Sequence, residues 1–229
     1  GIVSSTTSGD GAAGEVLINV ARDFQMRGDG VITSSTTGAG NAGNVEIDAD
    51  FVRVRGTSVI SSEGDIGNAG TVSVTGLTDL GIFDKAQIVA STSGIGTAGA
   101  VNVTAPVLIV FDGSISSTTS GAGNAGTVNI DADSVIVTAR DAGAIGSGNI
   151  SSEALAGSTG DAGNVSIAAT EIVTLADDGS VSSSTFASGN AGAVTITAPS
   201  LTMSGVASVS SSTSGEGDAG TVDVNVDNL

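Results

Sequence analysis

The sequence predicts an all-β protein, a parallel β-helix in which each coil takes about 28 residues and three short strands. Three observations support this fold class. A glycine-rich unit recurs along the whole chain, apolar and polar residues alternate within every unit, and the composition combines 35 glycines with only 2% aromatic residues. No stretch of twelve or more residues shows the 3.6-residue period of an amphipathic helix.

The repeating unit begins with a glycine-rich loop that leads directly into a strand. The stretch SGAGNAGTVNI at 120–130 has near-copies at 37–47 (TGAGNAGNVEI) and 214–224 (SGEGDAGTVDV). The last loop glycine, here called the anchor glycine, recurs every 27 to 29 residues, except for one step of 37. The anchor glycines are Gly14, Gly43, Gly70, Gly99, Gly126, Gly163, Gly192 and Gly220. This period predicts a single solenoid domain over residues 1–229.

Each unit contains three short apolar segments, which we expect to be its three strands. The first follows the anchor glycine, as in Val128 and Ile130, and the second follows a few residues later, as in Val135 and Val137. Because strand side chains alternate between faces, residues two apart share the interior face. The third segment carries one aliphatic residue per unit, namely Val3, Ile32, Ile60, Val89, Ile115, Ile150, Val181 and Val209.

A serine follows two residues after each of these aliphatic residues. The series is Ser5, Ser34, Ser62, Ser91, Ser117, Ser152, Ser183 and Ser211. Strand alternation points these serines inward, and a buried hydroxyl is costly unless it is hydrogen-bonded. We therefore expect a stacked serine ladder whose members bond to one another or to nearby backbone.

The loops carry a second series of polar residues, two positions before the anchor glycine. Its members are Asn41, Asn68, Asn124, Asp161, Asn190 and Asp218. Asn and Asp side chains commonly hydrogen-bond local backbone in tight turns, and glycine readily adopts positive φ. We therefore expect these side chains to hold the local turn and the flanking glycines to adopt positive φ.

Charge and composition exclude several classes of function. The net charge of −18, from 24 acidic and 6 basic residues, disfavours binding to nucleic acid or to an anionic membrane surface. The chain has no Cys and no His, which excludes disulfides, thiolate zinc sites, thiol nucleophiles and imidazole bases. Its longest apolar run, VLIVF at 107–111, is too short for membrane insertion as a helix.

The units ISSTTSGAGNAGTVNIDA at 115–132 and SVSSSTSGEGDAGTVDV at 208–224 resemble the shaft repeats of filamentous-haemagglutinin-like large exoproteins, which are two-partner secretion adhesins. The resemblance covers the whole chain. It implies a right-handed parallel β-helix, secretion to the bacterial cell surface, and a structural role as a stalk that presents adhesive or toxic parts. The family's Asn-Pro-Asn-Gly secretion element is missing, so the resemblance implies shaft alone.

The chain begins and stops within the repeat pattern, so we expect a segment of a longer processed shaft. Unfinished coils expose strand edges, which favours end-to-end self-association into extracellular filaments. The partners expected for an adhesin stalk are a host-cell, matrix or glycan surface. Exposed Ser and Thr would offer polar contacts or glycan attachment points.

The glycine-rich loops also raise the alternatives of a phosphate site and a calcium site. A phosphate-binding loop needs a following helix, whereas a strand follows every copy here. Calcium would need several oxygen ligands together, and the candidates are Asp48, Asp50, Asp131, Asp133, Asp177 and Asp178. The IDAD segments that carry the first four are three coils, about 14 Å, apart. A solvated acidic face is the preferred interpretation.

Many β-helices are polysaccharide-active enzymes, which is the main catalytic alternative. Such enzymes need clustered carboxylates or a positioned base in a groove, usually with aromatic residues that stack on sugars. The basic residues concentrate early, as Arg22, Arg27, Arg53, Arg55 and Lys85, and we expect them to pair at the surface with Asp23, Asp29, Asp50, Asp79 and Asp84. The five phenylalanines look scattered, so we predict no enzymatic activity.

A regular outward array of threonines would indicate ice binding. The outward position after the serine ladder reads Thr6, Ser35, Glu63, Thr92, Thr118, Glu153, Ser184 and Ser212. Two glutamates interrupt this column, which argues against that function.

The longest step between anchor glycines contains about seven extra residues. We expect residues 139–149, from Ala139 to Asn149, to bulge from the rod as a surface loop that is either neutral or used in recognition. The sequence predicts no catalytic, cofactor-binding or metal-ligating residue and no cofactor.

Overall fold

A computed structural model describes residues 1–140, 148–186 and 188–229. These residues form sixteen β-strands and no helix. The odd-numbered strands are short: β1 Ile2–Thr7, β3 Val31–Thr36, β5 Val59–Gly64, β7 Gln87–Thr92, β9 Ser114–Thr119, β11 Asn149–Ala154, β13 Ser180–Thr185 and β15 Ser208–Thr213. The even-numbered strands are mostly longer: β2 Val16–Met26, β4 Val45–Arg55, β6 Val72–Phe83, β8 Val101–Phe111, β10 Val128–Thr138, β12 Val165–Ala176, β14 Val194–Met203 and β16 Val222–Asn228.

The strands form two eight-stranded parallel sheets, one of odd and one of even strands, each ordered along the chain. Each coil therefore adds one strand to each sheet and lies directly on the coil before it. This confirms the predicted all-β parallel solenoid, with about eight coils of about 28 residues. The 37-residue step does not interrupt the stack, since Val128 pairs with Val165 and Gly126 lies against Gly163.

The structure has two strands per coil where the sequence predicted three. The predicted first and second segments belong to one strand, as β10 shows. Its buried residues are Val128, Ile130 and Ala132, then Val135 and Val137. Asp133 and Ser134 both point outward, so the inward positions change from even to odd residue numbers after them. The pairing with β12 shifts register at the same place. The strand bends at this point without losing its hydrogen-bonded neighbours, so the two segments remain one strand.

The interior is a continuous aliphatic core in which like residues stack on like. The valine after the anchor glycine is fully buried in six coils, at Val45, Val72, Val101, Val128, Val165 and Val194. Burying such a side chain stabilises the fold by roughly 1.5 to 3 kcal/mol. Because each side chain packs mainly against the coils above and below it, stability depends on neighbouring coils.

The third segment of the fourth coil has a different inward phase from the predicted one. Ile88 pairs with Ile60 and Ile115, and Ala90 pairs with Ser62 and Ser117. Ile88 and Ala90 are fully buried, so Val89 and Ser91 point outward and the prediction was wrong at these two positions. Thr92 is buried for the same reason. The phase is set by the turn before β7, where Asp84 and Lys85 both adopt positive φ and Ala86 enters the core.

Candidate functional surfaces

The inward serines bridge successive coils through the backbone of the anchor glycines. Ser117 Oγ accepts a hydrogen bond from Gly126 N, in its own coil, at 2.8 Å and donates one to Gly99 O, in the preceding coil, at 3.0 Å. The same pair of bonds forms at Ser34, Ser62, Ser152, Ser183 and Ser211, with distances from 2.8 to 3.0 Å. The predicted ladder is therefore present, and its partners are backbone groups.

The fourth coil lacks this bridge, because its inward residue is Ala90. Alanine has no hydroxyl, so it offers nothing to the backbone of Gly99 in its own coil or of Gly70 in the preceding one. Neighbouring rungs on both sides hold serine, at Ser62 and Ser117. The ladder thus has a gap of one rung in the middle of the solenoid.

The loop Asn and Asp residues also join coils, where the sequence predicted that they hold their own turn. Asn124 Oδ1 accepts a hydrogen bond from Asp161 N of the next coil at 2.9 Å. Asp161 Oδ1 in turn accepts from Asn190 N at 2.7 Å. Asn41, Asn68 and Asn190 make the same contact at 2.8 to 3.0 Å. Side-chain acceptors here supply partners to loop N–H groups, so the loops stack as regularly as the strands.

The loop glycines are required by close coil-to-coil contact. A Cβ atom added to Gly40 would overlap the carbonyl oxygen of Gly11, and one added to Gly126 would overlap that of Gly99. None of these loop glycines has positive φ, so that part of the prediction was wrong. Positive φ occurs instead before the short strands, at Gly28, Gly56 and Gly205 and at the non-glycine residues Asp84, Lys85, Asp112 and Asp177. Gly157, in another loop, also adopts it.

The same geometry bears on the phosphate alternative. Each loop leads into a strand, as Gly126 does into β10, and no helix N-terminus faces any loop in the described residues. Stacking accounts for the glycines without a ligand.

The candidate calcium residues lie in pairs on the outer surfaces of three coils: Asp48 with Asp50, Asp131 with Asp133, and Asp177 with Asp178. Asp48 and Asp131 occupy the same column on β4 and β10, which are three rungs apart. Asp133 accepts a hydrogen bond from Thr170 Oγ1 at 2.6 Å. Over residues 1–140, 148–186 and 188–229, no three acidic side chains are grouped so that they could hold a metal ion.

A shallow cleft of about 270 Å³ crosses the C-terminal ends of β3, β5 and β7. It is lined by hydroxyl side chains and two carboxylates, Glu63 and Asp65. Ser61 Oγ donates to Glu63 Oε1 at 2.8 Å, and Ser93 Oγ donates to Asp65 Oδ1 at 3.2 Å. Gly64, between Glu63 and Asp65, is an inward position that holds threonine in the adjacent coils, and the loop backbone at Gly67 and Ala69 fills the space of the missing side chain. Sequence analysis missed the cleft, since the two acids belong to different periodic columns.

The outer face of the odd-strand sheet is rich in hydroxyl groups. With the corrected phase, the column considered for ice binding contains Ser91 in place of Thr92. Glu63 and Glu153 still interrupt it. The column therefore lacks the unbroken threonine array that ice binding requires.

Two ion pairs involve predicted acidic partners. Arg53 donates from Nη1 to Asp79 Oδ1 and from Nη2 to Asp79 Oδ2, the latter at 2.6 Å, and this hydrogen bonding raises the pKa of Arg53. Asp84 pairs with Arg140 at 3.0 Å, a residue 56 positions away that was not among the predicted cations. Arg140 N also donates to Asp112 Oδ1 at 2.9 Å. Arg140 thus balances two turn acids from different coils.

The predicted insertion lies mostly outside the described residues, which exclude 141–147. Of its flanks, Ala139 is buried and Asn149 begins β11. Arg140 sits at the start of the segment with the contacts given above.

No protein-family model matches this chain, and no curated protein or solved structure shows significant similarity to it. None of the described residues belongs to a helix long and apolar enough to span a membrane.

Proposed function

We propose that this chain is a structural shaft of a secreted bacterial surface adhesin or exoprotein, of the filamentous-haemagglutinin-like kind, wound as a right-handed β-helix without catalytic activity. The observation that supports a shaft is the coil-to-coil bonding of two parallel sheets that continue through all eight coils. Both sheets, the serine ladder and the Asn/Asp loop ladder run in the same direction. Right-handed winding is proposed because parallel strand crossovers are overwhelmingly right-handed.

A stack bonded in this way resists bending and stretching along its length. Eight rungs at about 4.8 Å give a rod of roughly 34 Å, and each added coil lengthens it by the same step. Such a rod separates whatever it carries from the surface to which it is attached. Host-cell, matrix or glycan surfaces are the proposed partners, and the hydroxyl-rich face of the odd strands is the proposed contact.

End-to-end association is proposed as well. Within the described chain, β1 and β2 form one edge of the two sheets and β15 and β16 form the other, and each has a neighbour on one side only. Free strand edges pair readily with further strands, either from the same polypeptide or from another copy.

The shaft proposal is tested by binding and by localisation. We expect antibodies against this chain to label the outside of intact source cells. Binding of the purified chain to matrix or cell-surface glycans would show that the shaft itself contributes to adhesion, and no binding would show that it is purely architectural. Exclusively intracellular labelling would contradict the proposal.

The alternatives are a polysaccharide-active enzyme and a calcium-binding module, and the Glu63–Asp65 cleft is the place where either would reside. We expect no reducing ends or unsaturated products from a panel of acidic and neutral glycans. We also expect no heat of calcium binding by titration calorimetry. Turnover or calcium uptake that is lost in Glu63→Gln, and kept in Glu153→Gln, would favour the alternative over the shaft.

A further inference from the structure

One outer face of the even-strand sheet carries apolar side chains that the core does not use. It is formed by the second halves of β6, β8, β10 and β12, and we call it the apolar face: Phe83, Val107, Ile109, Phe111, Ile136 and Ile172. Their strand neighbours Leu108, Val110, Val135 and Val137 are fully buried, so alternation directs the apolar face outward.

The members of the apolar face adjoin one another across the coils. Phe83 pairs with Phe111, and Ile109 pairs with Ile136. Ile172 stands one rung further along, opposite Ser134. β-Branched and aromatic side chains directly opposed on one face form a continuous apolar surface.

Two arginines stack on the aromatic rings at the edge of this surface. The guanidinium carbon of Arg55 lies 4.6 Å from the centre of the Phe83 ring, and that of Arg140 lies 5.7 Å from the Phe111 ring. The Phe83 ring itself lies over Gly81, where any Cβ would overlap it. The two guanidinium groups therefore cover part of the Phe83 and Phe111 rings, so the uncovered apolar surface lies mainly between them and Ile172.

The distribution of charge distinguishes this face from the others. The nine outward positions in the second halves of β8, β10 and β12 carry no charged residue: Val107, Ile109, Phe111, Ser134, Ile136, Thr138, Ile172, Thr174 and Ala176. The second half of β6 has one outward acid, Asp79, which lies beside Val107 and is paired with Arg53. The first half of the same sheet exposes Glu46, Asp48, Asp131 and Asp223, and the odd-strand sheet exposes Glu63 and Glu153. Five of the six basic residues lie in the first three even strands or just after them, namely Arg22, Arg27, Arg53, Arg55 and Lys85, and Arg140 follows β10.

We propose that the apolar face docks against the same face of a second copy of this chain. Two copies with a net charge of −18 each repel one another at the acidic and hydroxyl-rich faces. The middle of the apolar face is uncharged, so it is where a like-charged copy can approach closely. Of the acids at its edge, Asp79 is paired with Arg53, and Asp84 and Asp112 are paired with Arg140. Flat sheets with apolar surfaces pack face to face at about 10 Å, and a two-fold axis brings like residues together.

The size of the face predicts a weak, reversible pair. Four rungs of about 4.8 Å and five residues of about 3.4 Å cover roughly 330 Å² per copy, or about 650 Å² in total. Interfaces below about 1,200 Å² are typical of transient association. This side-by-side pairing is independent of the proposed shaft function and of end-to-end stacking, which would continue beyond a dimer.

Sedimentation velocity over concentrations from about 5 µM to about 1 mM tests the proposal. Side-by-side pairing by itself takes the sedimentation coefficient from monomer to dimer and no further, and growth beyond the dimer would come from the end-to-end stacking proposed above. The double variant Ile109→Lys, Ile136→Lys should stay monomeric, because four buried ammonium groups would face one another. Thr104→Lys with Asn129→Lys adds the same charge on the same two strands, in their exposed first halves, and should dimerise like the wild type.

A second measurement does not depend on how the lysine variants fold. The chain has no cysteine, so Ile136→Cys and Thr104→Cys each carry a single thiol. A short bismaleimide should cross-link Ile136→Cys into dimers at high protein concentration and leave Thr104→Cys monomeric. A wild type that is monomeric throughout, a lysine variant that still dimerises, or equal cross-linking at the two positions would overturn the proposal.

Discussion

The serine ladder leads to a paired prediction of opposite sign at neighbouring rungs. Ser117→Ala removes a hydrogen bond accepted from Gly126 N and one donated to Gly99 O, both within the stack. It also leaves a shielded N–H group without its acceptor. Leaving the Gly126 N–H unsatisfied costs about 1 to 3 kcal/mol, and the lost bond to Gly99 O costs about 1 kcal/mol more. We therefore expect Ser117→Ala to lower the free energy of unfolding by about 2 to 4 kcal/mol.

Ala90→Ser is the reciprocal change. Ala90 lies between Ser62 and Ser117 in the same column and is fully buried, so a serine there meets the backbone of Gly99 and Gly70 as its neighbours meet theirs. We expect it to raise the free energy of unfolding by about 1 to 2 kcal/mol.

Urea denaturation monitored by circular dichroism measures both changes. Ser116→Ala is the matched control, since Ser116 is on the same strand as Ser117 and points outward, and it should change stability by less than about 0.5 kcal/mol. The slope of the transition should be unchanged in all three variants, which shows that the same surface unfolds. The reasoning is refuted if Ser117→Ala costs no more than Ser116→Ala, or if Ala90→Ser destabilises the protein.

Three further predictions concern the loops and the charge. Gly40→Ala should destabilise the protein by several kcal/mol or prevent folding, because its Cβ would overlap Gly11 O. Gly11→Ala, in the same column, has open space around the new Cβ and should be nearly neutral. Thermal unfolding of the two variants measures the difference, and equal melting temperatures would contradict the prediction. Asn124→Ala should lower the free energy of unfolding, measured in urea, by about 1 to 2 kcal/mol, because Asp161 N loses its acceptor. Amide hydrogen exchange at Asp161 should become faster, and unchanged exchange would argue against the bonding of the loops through Asn and Asp side chains. Raising NaCl from about 10 mM to about 150 mM should increase the melting temperature, because it screens the self-repulsion of a net charge of −18; a decrease would show that attractive ion pairs dominate.

Much of the fold could be predicted because each structural requirement recurs in every coil. The anchor glycines recur wherever two backbones touch, and the inward serines recur wherever a coil is bridged to the one before it. The repeat pattern therefore predicted that the coils stack, how many residues each coil has, and that the serines form a ladder. It could not show that the first two segments form one strand, since two outward residues at a bend look like a break in the alternation.

The inward residues of β7, in the fourth coil, could have been predicted from their distance along the chain to the preceding strand. Ile88 lies eight residues after Leu80, the same separation as between Val52 and Ile60, whereas Val89 lies nine after it. Both residues are aliphatic, so alternation within QIVAST fits either phase. The decisive information is the length of the preceding turn, where Asp84 and Lys85 adopt positive φ.

The surfaces were harder to predict than the interior. The phenylalanines looked scattered because Phe83 and Phe111 are 28 residues apart, yet one coil spacing makes them neighbours. Arg140 was not connected with Asp84 for the same reason. Contacts between coils become visible only when outward positions are compared at the coil period. The Glu63–Asp65 cleft is lined by residues of four adjacent coils, which the pattern within a single coil does not bring together.

Spin-label distances along one outward column test the coil stacking most directly. The column Thr6, Thr118, Glu153 and Ser212 occupies rungs 1, 5, 6 and 8, and cysteines placed there are the only thiols in the chain. Pulsed electron paramagnetic resonance should give distances from Thr6 of about 19, 24 and 34 Å to these three positions, a constant step of about 4.8 Å per rung. The 37-residue step between Gly126 and Gly163 should add one rung only. A separation between Thr118 and Glu153 of several rungs, or distances that do not grow with rung number, would contradict the stacked solenoid.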